Sequence, residues 1–279
     1  MPFIGSEALQ CGRLNLHQLR TQYRAIYPDV YLRASVSPTL RHRTVAAWLW
    51  SHREGVVSGR AAAAWHGAKW VDDDVDIELT WPNARPPRGL RTSDARLRSG
   101  EFESRRGLRV TTPARTAFDI GRRKPLYVAV AQLDALAAAT RISAGEVLDV
   151  AAAHPGARGL RTLRRALDLL DAGAQSPQET RVRLYLIDAG LPRPGTQIPV
   201  YDDVECCWYY VDMGWKKLKV GVEYDGDHHR TDRETYVRDH RRRAALARLR
   251  WSIVYVIAED RRSSIVERAT AAFNSRNSR

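Results

Sequence analysis

Val220-Gly-Val-Glu-Tyr-Asp-Gly-Asp-His-His229, read together with Trp208-Tyr-Tyr-Val-Asp-Met213, decides the fold of the second half of the chain. Val220, Val222 and Tyr224 alternate with Gly221, Glu223 and Asp225. That period of two predicts a β-strand that buries the first set and presents both carboxylates on the other face. Gly226 ends it. A four-residue loop, Lys216–Lys219, sets Asp212 directly opposite Glu223 in an antiparallel hairpin, so three carboxylates share one patch. Two carboxylates about 4 Å apart repel by roughly 4 kcal/mol at an effective dielectric near 20. A shared proton, a nearby Arg or Lys, or a divalent cation must compensate.

Asp212, then Glu223-Tyr-Asp225-Gly-Asp-His-His229, then Asp232 through Arg243 and Trp251-Ser-Ile-Val-Tyr-Val-Ile257, resemble the DUF559 proteins. These are relatives of the very-short-patch-repair endonucleases in the PD-(D/E)xK superfamily. The resemblance implies a restriction-endonuclease-like domain in which Asp212 and Glu223 hold Mg²⁺ (or Mn²⁺) against a DNA phosphodiester. Asp225 stands where the family carries lysine, as a further ligand or a group orienting water, and Lys219, His228, His229 or Arg238 remain to replace that lysine. Glu179 matches a helix glutamate behind the family's metal site. Its local reading is the last member of a capping box, Ser176-Pro-Gln-Glu179, opening a helix to Ala189-Gly190 with Val182, Leu186 and Ala189 facing the core. The implied catalytic set is Asp212, Glu223, Asp225 and Glu179, with the first three on the metal.

Strands over 196–202, 207–215, 220–225 and 252–258, with a helix over 232–249 between the last two, complete this unit. Arg238, Arg241, Arg242, Arg243 and Arg248 ring that helix, with Asp239 and Arg242 as neighbours at i, i+3, while Tyr236, Ala244 and Leu249 anchor it. Arg238, Arg241, Arg242 and Lys219 are candidate phosphate contacts. Neighbouring side chains on an extended segment diverge, so at most one of His228 and His229 reaches the site, and Cys206 and Cys207 are strand residues.

The 279 residues allow two domains of ordinary size. The formal charge is +13, with 45 Lys and Arg against 32 Asp and Glu. Residues 1–175 carry 26 basic and 17 acidic side chains, and residues 176–279 carry 19 and 15, so both parts can meet a polyanion such as DNA. Three cysteines cannot build a disulfide framework. Met1-Pro-Phe-Ile-Gly-Ser6 lacks a basic segment followed by an apolar core, and no apolar run approaches 18 residues. A cytoplasmic protein is expected.

In the first part, the apolar spacing predicts a helix over 14–26, a turn and strand over 26–32, and a helix over Thr39–His52; Ser58 then caps a helix to His66. Val57-Ser-Gly-Arg-Ala-Ala-Ala-Ala-Trp-His-Gly67 resembles a stretch in the N-terminal part of AbiEi-like antitoxins, and Thr111-Thr-Pro-Ala-Arg-Thr-Ala-Phe-Asp-Ile120 resembles their TxxERTxxD segment, with Ala114 in place of glutamate. The resemblance implies a winged helix-turn-helix before it, here shortened, with Val30-Tyr-Leu32 as wing and Arg13, Arg20, Arg24 and Arg33 as phosphate contacts. His66 reads as a packing residue. Val75, Ile77 and Leu79 alternate in an acidic strand that lacks the spacing of a Ca²⁺ loop. Arg85 to Arg109 holds eight arginines on a strand-and-loop surface. Thr112 caps a helix with Pro113 at its first position, and helices over 125–139, 143–153 and 158–172 follow.

The reading is an α+β protein of two parts: an antitoxin-like region, 1–175, and a restriction-endonuclease-like domain, 176–279. Two functions stand against each other: a metal-dependent endonuclease, or a non-catalytic DNA-binding regulator on a degenerate nuclease fold.

Overall fold

The computed structural model describes residues 1–83, 85–226 and 233–278, with side chains from residue 238 onward in the helix that begins at Arg233. It is an α+β chain of two compact units, Met1–Leu170 and Asp171–Arg279.

The first unit opens with β1 (Phe3–Ile4), α1 (Gly5–Gln10), α2 (Leu16–Gln22), β2 (Tyr23–Tyr27) and β3 (Val30–Arg33). The three strands pair in the order β1-β3-β2, all antiparallel. The expected helix over 14–26 is therefore corrected: it stops at Gln22, and residues 23–27 are strand. Tyr23 does fall on the helical stripe of Leu16 and Leu19, but pairing with β3 through Tyr23↔Arg33 and Ala25↔Tyr31 overrides local spacing. Asn15 and Gln18 form a reciprocal capping box at the start of α2. The turn between α1 and α2 passes through Gly12 at φ 65°, a left-handed conformation that glycine adopts without strain.

Next come α3 (Leu40–Trp50), β4 (Val56–Ser58), α4 (Gly59–His66), β5 (Ile77–Thr80), β6 (Leu90–Ser93), β7 (Phe102–Arg105) and β8 (Leu108–Thr111). The five strands form a mixed sheet in the order β6-β5-β4-β8-β7. Thr39, where the expected helix over Thr39–His52 begins, caps α3 by accepting from His42 N. Ser58 occupies the cap position of α4, but its side chain makes no capping hydrogen bond. A shared core of Ile4, Val30, Ala46, Val57, Ile77 and Val110 joins the small sheet, α3 and the large sheet. Then α5 (Pro113–Arg123), α6 (Leu126–Thr140), α7 (Ala144–Ala153) and α8 (Leu160–Asp168) complete the unit. Thr112 caps α5 with Pro113 behind it. His66 is buried, and its Nε2 lies 2.7 Å from the Thr111 carbonyl oxygen.

The second unit comprises α9 (Pro177–Asp188), β9 (Gly195–Asp202), β10 (Cys207–Trp215), β11 (Val220–Tyr224), α10 (Arg233–Arg248), β12 (Ser252–Val256) and α11 (Arg262–Asn277). The sheet order is β12-β11-β10-β9, an antiparallel meander closed by a parallel β11–β12 pair with α10 as crossover. Val182 and Leu186 of α9 and Ile265 and Ala269 of α11 pack on Met213, Val222 and Val254. On the other face, Leu246 of α10 and Trp251 pack on Ile198, Val200 and Val211. Because both faces are covered, Gly221 and Glu223 are buried along with Val220 and Val222, and the expected solvent-facing carboxylate side is corrected. Ala189 is exposed, and Ala245 and Leu246 rather than Ala244 anchor α10.

Candidate functional site

The hairpin register is Met213↔Val222, Gly214↔Gly221, Trp215↔Val220, closed by Lys216–Lys219. It carries Asp212 to the end of Glu223's strand, where Asp212 Oδ2 accepts the Tyr224 N–H at 2.9 Å. Glu223 is 4% exposed. Its two oxygens accept Nη2 and Nη1 of Arg242 at 2.6 Å each, a two-point fork, and Nη2 also donates to the Tyr210 carbonyl at 2.6 Å. Asp225 pairs with Arg243 at 3.0 Å, and Arg243 lies over the Tyr255 ring. Arginines thus supply the compensation that the acidic patch requires.

Glu179 belongs to this cluster. Ser176 Oγ accepts from Glu179 N at 3.1 Å, but the Glu179 carboxylate accepts from Gln175 N at 2.9 Å, one residue before the position a capping box requires. Burial, assisted by the negative charge of Asp212, pushes its carboxyl up to about 7. Burial also raises Asp212 and Glu223, against the pull of the Tyr224 amide on the first and of Arg242 on the second. Burial works against charge on Arg242, yet the bond and charge of Glu223 outweigh it and raise its value.

The remaining expected contacts divide. Lys219 donates to the Leu249 carbonyl at 3.1 Å and is thereby turned to the end of α10. Arg238 and Arg241 are exposed on α10, as are Arg20 on α2 and Arg24 on β2. Arg242 pairs with Glu223 rather than with Asp239, its neighbour on the helix. His228, His229 and Asp232 lie outside the described residues, as does the Tyr236 side chain. Among the described residues no group of three or more His, Cys, Asp or Glu side chains is disposed to hold a metal ion. As arranged, the donors do not fit Mg²⁺ or Mn²⁺, because Arg242 takes both Glu223 oxygens.

In the first unit, Arg115 of the RTxxD stretch is 2% exposed, as is Asp119, and Glu101 is 6% exposed. Arg115 Nε donates to Asp119 at 2.9 Å and Nη1 donates to Glu101. His154 reaches the other Glu101 oxygen at 2.6 Å, and Arg122 and Arg123 meet the other Asp119 oxygen at 2.7 and 3.2 Å. Burial works to raise Glu101, but the Arg98 amide, His154 and Arg115 together hold it below its ordinary value. This network ties α5 to the loop before β7 and to the end of α7. The resemblance of this stretch points to Arg115 and Asp119, yet nothing in its spacing announces Glu101, fourteen residues earlier.

Near the N-terminus, α1, a tight turn and α2 are followed by the β2–β3 hairpin, whose second strand pairs with the strand preceding α1. That is the connectivity of a winged helix-turn-helix without its first helix. Leu19 is buried, while His17, Arg20, Thr21 and Gln22 of α2 are exposed, with Arg13, Arg24 and Arg33 around them.

Residues 55–172 match the AbiEi antitoxin C-terminal domain family, so both antitoxin-like stretches noted in the sequence fall in that family's C-terminal domain. Two uncharacterized proteins of Mycobacterium tuberculosis, from strains CDC 1551 and H37Rv, are each 30% identical to the chain over 232 residues, 81% of this chain and 83% of theirs. The chain belongs to the same family as these mycobacterial proteins. The antitoxin-domain match ends before the strands that carry Asp212 and Glu223. No solved structure matches the chain. Among the described residues no helix is long and apolar enough to cross a membrane.

Proposed function

We propose that the protein is a DNA-binding regulator of the antitoxin type, in which the N-terminal winged unit holds duplex DNA and the nuclease-like unit serves as a scaffold. The observation that carries this reading is the β1-β3-β2 sheet with α2 presenting Arg20, His17 and Thr21 to solvent beside Arg24. The match to the antitoxin C-terminal domain supports it. Phosphate contacts from Arg20 and Arg24 make affinity fall with salt, each contributing about 0.9 to the slope of log K against log salt. Arg20→Ala with Arg24→Ala should therefore weaken duplex binding across sequences and flatten that slope by about 2, read by fluorescence anisotropy over a salt series. An unchanged slope moves the footprint away from this unit.

A second reading, a Mg²⁺- or Mn²⁺-dependent endonuclease using Asp212 and Glu223 with Asp225 and Glu179 nearby, is favoured by the hairpin register that sets Asp212 against the end of Glu223's strand. It requires Arg242 to release Glu223. Incubation of supercoiled plasmid with the protein and either metal or chelator separates the two. Nicking that chelator stops and Glu223→Gln abolishes supports the enzyme; binding without nicking supports the regulator.

A further inference from the structure

Three of the four exposed aromatic side chains among the described residues lie together on the β9–β10 hairpin. Tyr201, Trp208 and Tyr210 are 47, 58 and 52% exposed, and Val204, in the turn between the strands, is 66% exposed. The register Trp208↔Tyr201 and Tyr210↔Pro199 sets the three rings and the exposed Pro199 on one face. The opposite face is closed, because Ile198, Val200 and Val211 pack with Leu246 and Trp251. α9 and α11 cover Met213, further along β10, in a core to which none of the three rings belongs. Tyr201 and Trp208 meet across the strands, with ring centroids 5.0 Å apart and planes tilted by 51°. Tyr210 stands two residues beyond Trp208, about 7 Å along the strand. That spacing is about twice the contact distance between carbon atoms, so one flat ring, a pyrrolidine or a base, can lie between neighbours.

We propose that this face docks an extended, proline-rich segment of a partner protein that carries arginine or lysine. Proline-rich chains are already extended before they bind and seat their rings among aromatic side chains, so little order has to be imposed on them. Charge favours this occupant over a single nucleic-acid strand, whose bases would also stack on the rings. Asp202, at the end of β9, has its own partner, since Arg248 Nη2 lies 2.7 and 2.5 Å from its two oxygens. Asp203 and Glu205, in the turn, are exposed and make no ion pair among the described residues. Two uncompensated carboxylates beside the rings repel a phosphate chain and attract a guanidinium or ammonium group. Size argues against a second copy of this chain. The exposed parts of the three rings and Val204 come to roughly 300–400 Å², at most half of the about 800 Å² that each side of a stable protein interface buries. The second unit then has a partner of its own, apart from DNA.

The full-length protein is titrated into three labelled probes and followed by fluorescence anisotropy: a proline decapeptide with arginine at every third position, the same peptide with glutamate in place of arginine, and an oligothymidine strand. The expected result is binding of the arginine peptide in preference to the glutamate peptide, weakened about tenfold or more by Trp208→Thr and by Tyr210→Thr. Asp203→Asn with Glu205→Gln should weaken it about fivefold, the size of an exposed charge contact. Threonine suits a strand, so the ring variants should melt with the wild type; the carboxylate variant alters only exposed turn residues and keeps the test decisive if they do not. No binding of the arginine peptide at millimolar concentration, equal affinity for the glutamate peptide, or affinity that all the variants retain overturns the proposal. An oligothymidine strand that outbinds the peptide and loses its affinity in Trp208→Thr overturns it in favour of nucleic acid. A concentration-dependent dimer that Trp208→Thr dissolves, seen by sedimentation, overturns it in favour of a second copy.

Discussion

Arg115→Met is expected to destabilise the protein by about 3–5 kcal/mol, the cost of leaving buried charge without its partner. Glu101 would keep His154 and the Arg98 amide, and Asp119 would keep Arg122 and Arg123. Neither can move to water, because both are almost fully buried. The methionine fills most of the guanidinium's volume, so a lost cavity term cannot account for the effect. Adding Glu101→Gln and Asp119→Asn to Arg115→Met should recover much of the loss, since replacing all members of a buried ionic group is often neutral while breaking it is not. Urea melts give the size, and hydrogen exchange of the α5 amides locates it. A loss below about 1 kcal/mol, or a triple variant no better than the single, would show that the network does not hold α5 in place.

Much of the second unit was legible because its signals are local. Four residues between Trp215 and Val220 permit one hairpin register, and the alternation Val220, Val222, Tyr224 fixes the strand. The capping residues Thr112 and Ser176 mark helix starts by hydrogen bonds within three residues. What spacing cannot show is which long-range partner a charged side chain meets. Five arginines ring α10 in the sequence, and Arg242 becomes the partner of Glu223 only because the parallel crossover lays the helix over that strand. The same packing buries the face that alternation alone assigns to solvent. Tyr23 to Tyr27 fits a helix or a strand, and pairing with β3 decides between them.

Arg242→Met should cost about 3–5 kcal/mol at pH 8, because Glu223 loses the partner on both of its oxygens while remaining buried. The cost should shrink toward pH 5. In the wild type, burial already raises Glu179 from 4.5 to about 7 and raises Asp212 and Glu223 as well. A carboxyl raised on folding contributes stability that is fully present below its unfolded value and is lost as pH climbs through the folded one. Glu179 alone therefore removes on the order of 3 kcal/mol between about pH 4.5 and 7. Without Arg242, Asp212 and Glu223 also lose the positive charge that opposes their rise, so the loss extends further upward in pH. Thermal melts of both proteins at pH 5 and pH 8, each with chelator and with millimolar Mn²⁺, test the ion pair and the metal reading together. A destabilisation that grows on acidification would sink the ion-pair account. If the freed carboxylates can take a divalent cation, Mn²⁺ should raise the melting temperature of Arg242→Met by mass action on the folded state and leave the wild type unmoved. A variant that is destabilised at pH 8 yet shows no shift with Mn²⁺ leaves the cluster a scaffold held by Arg242 and ends the metal reading.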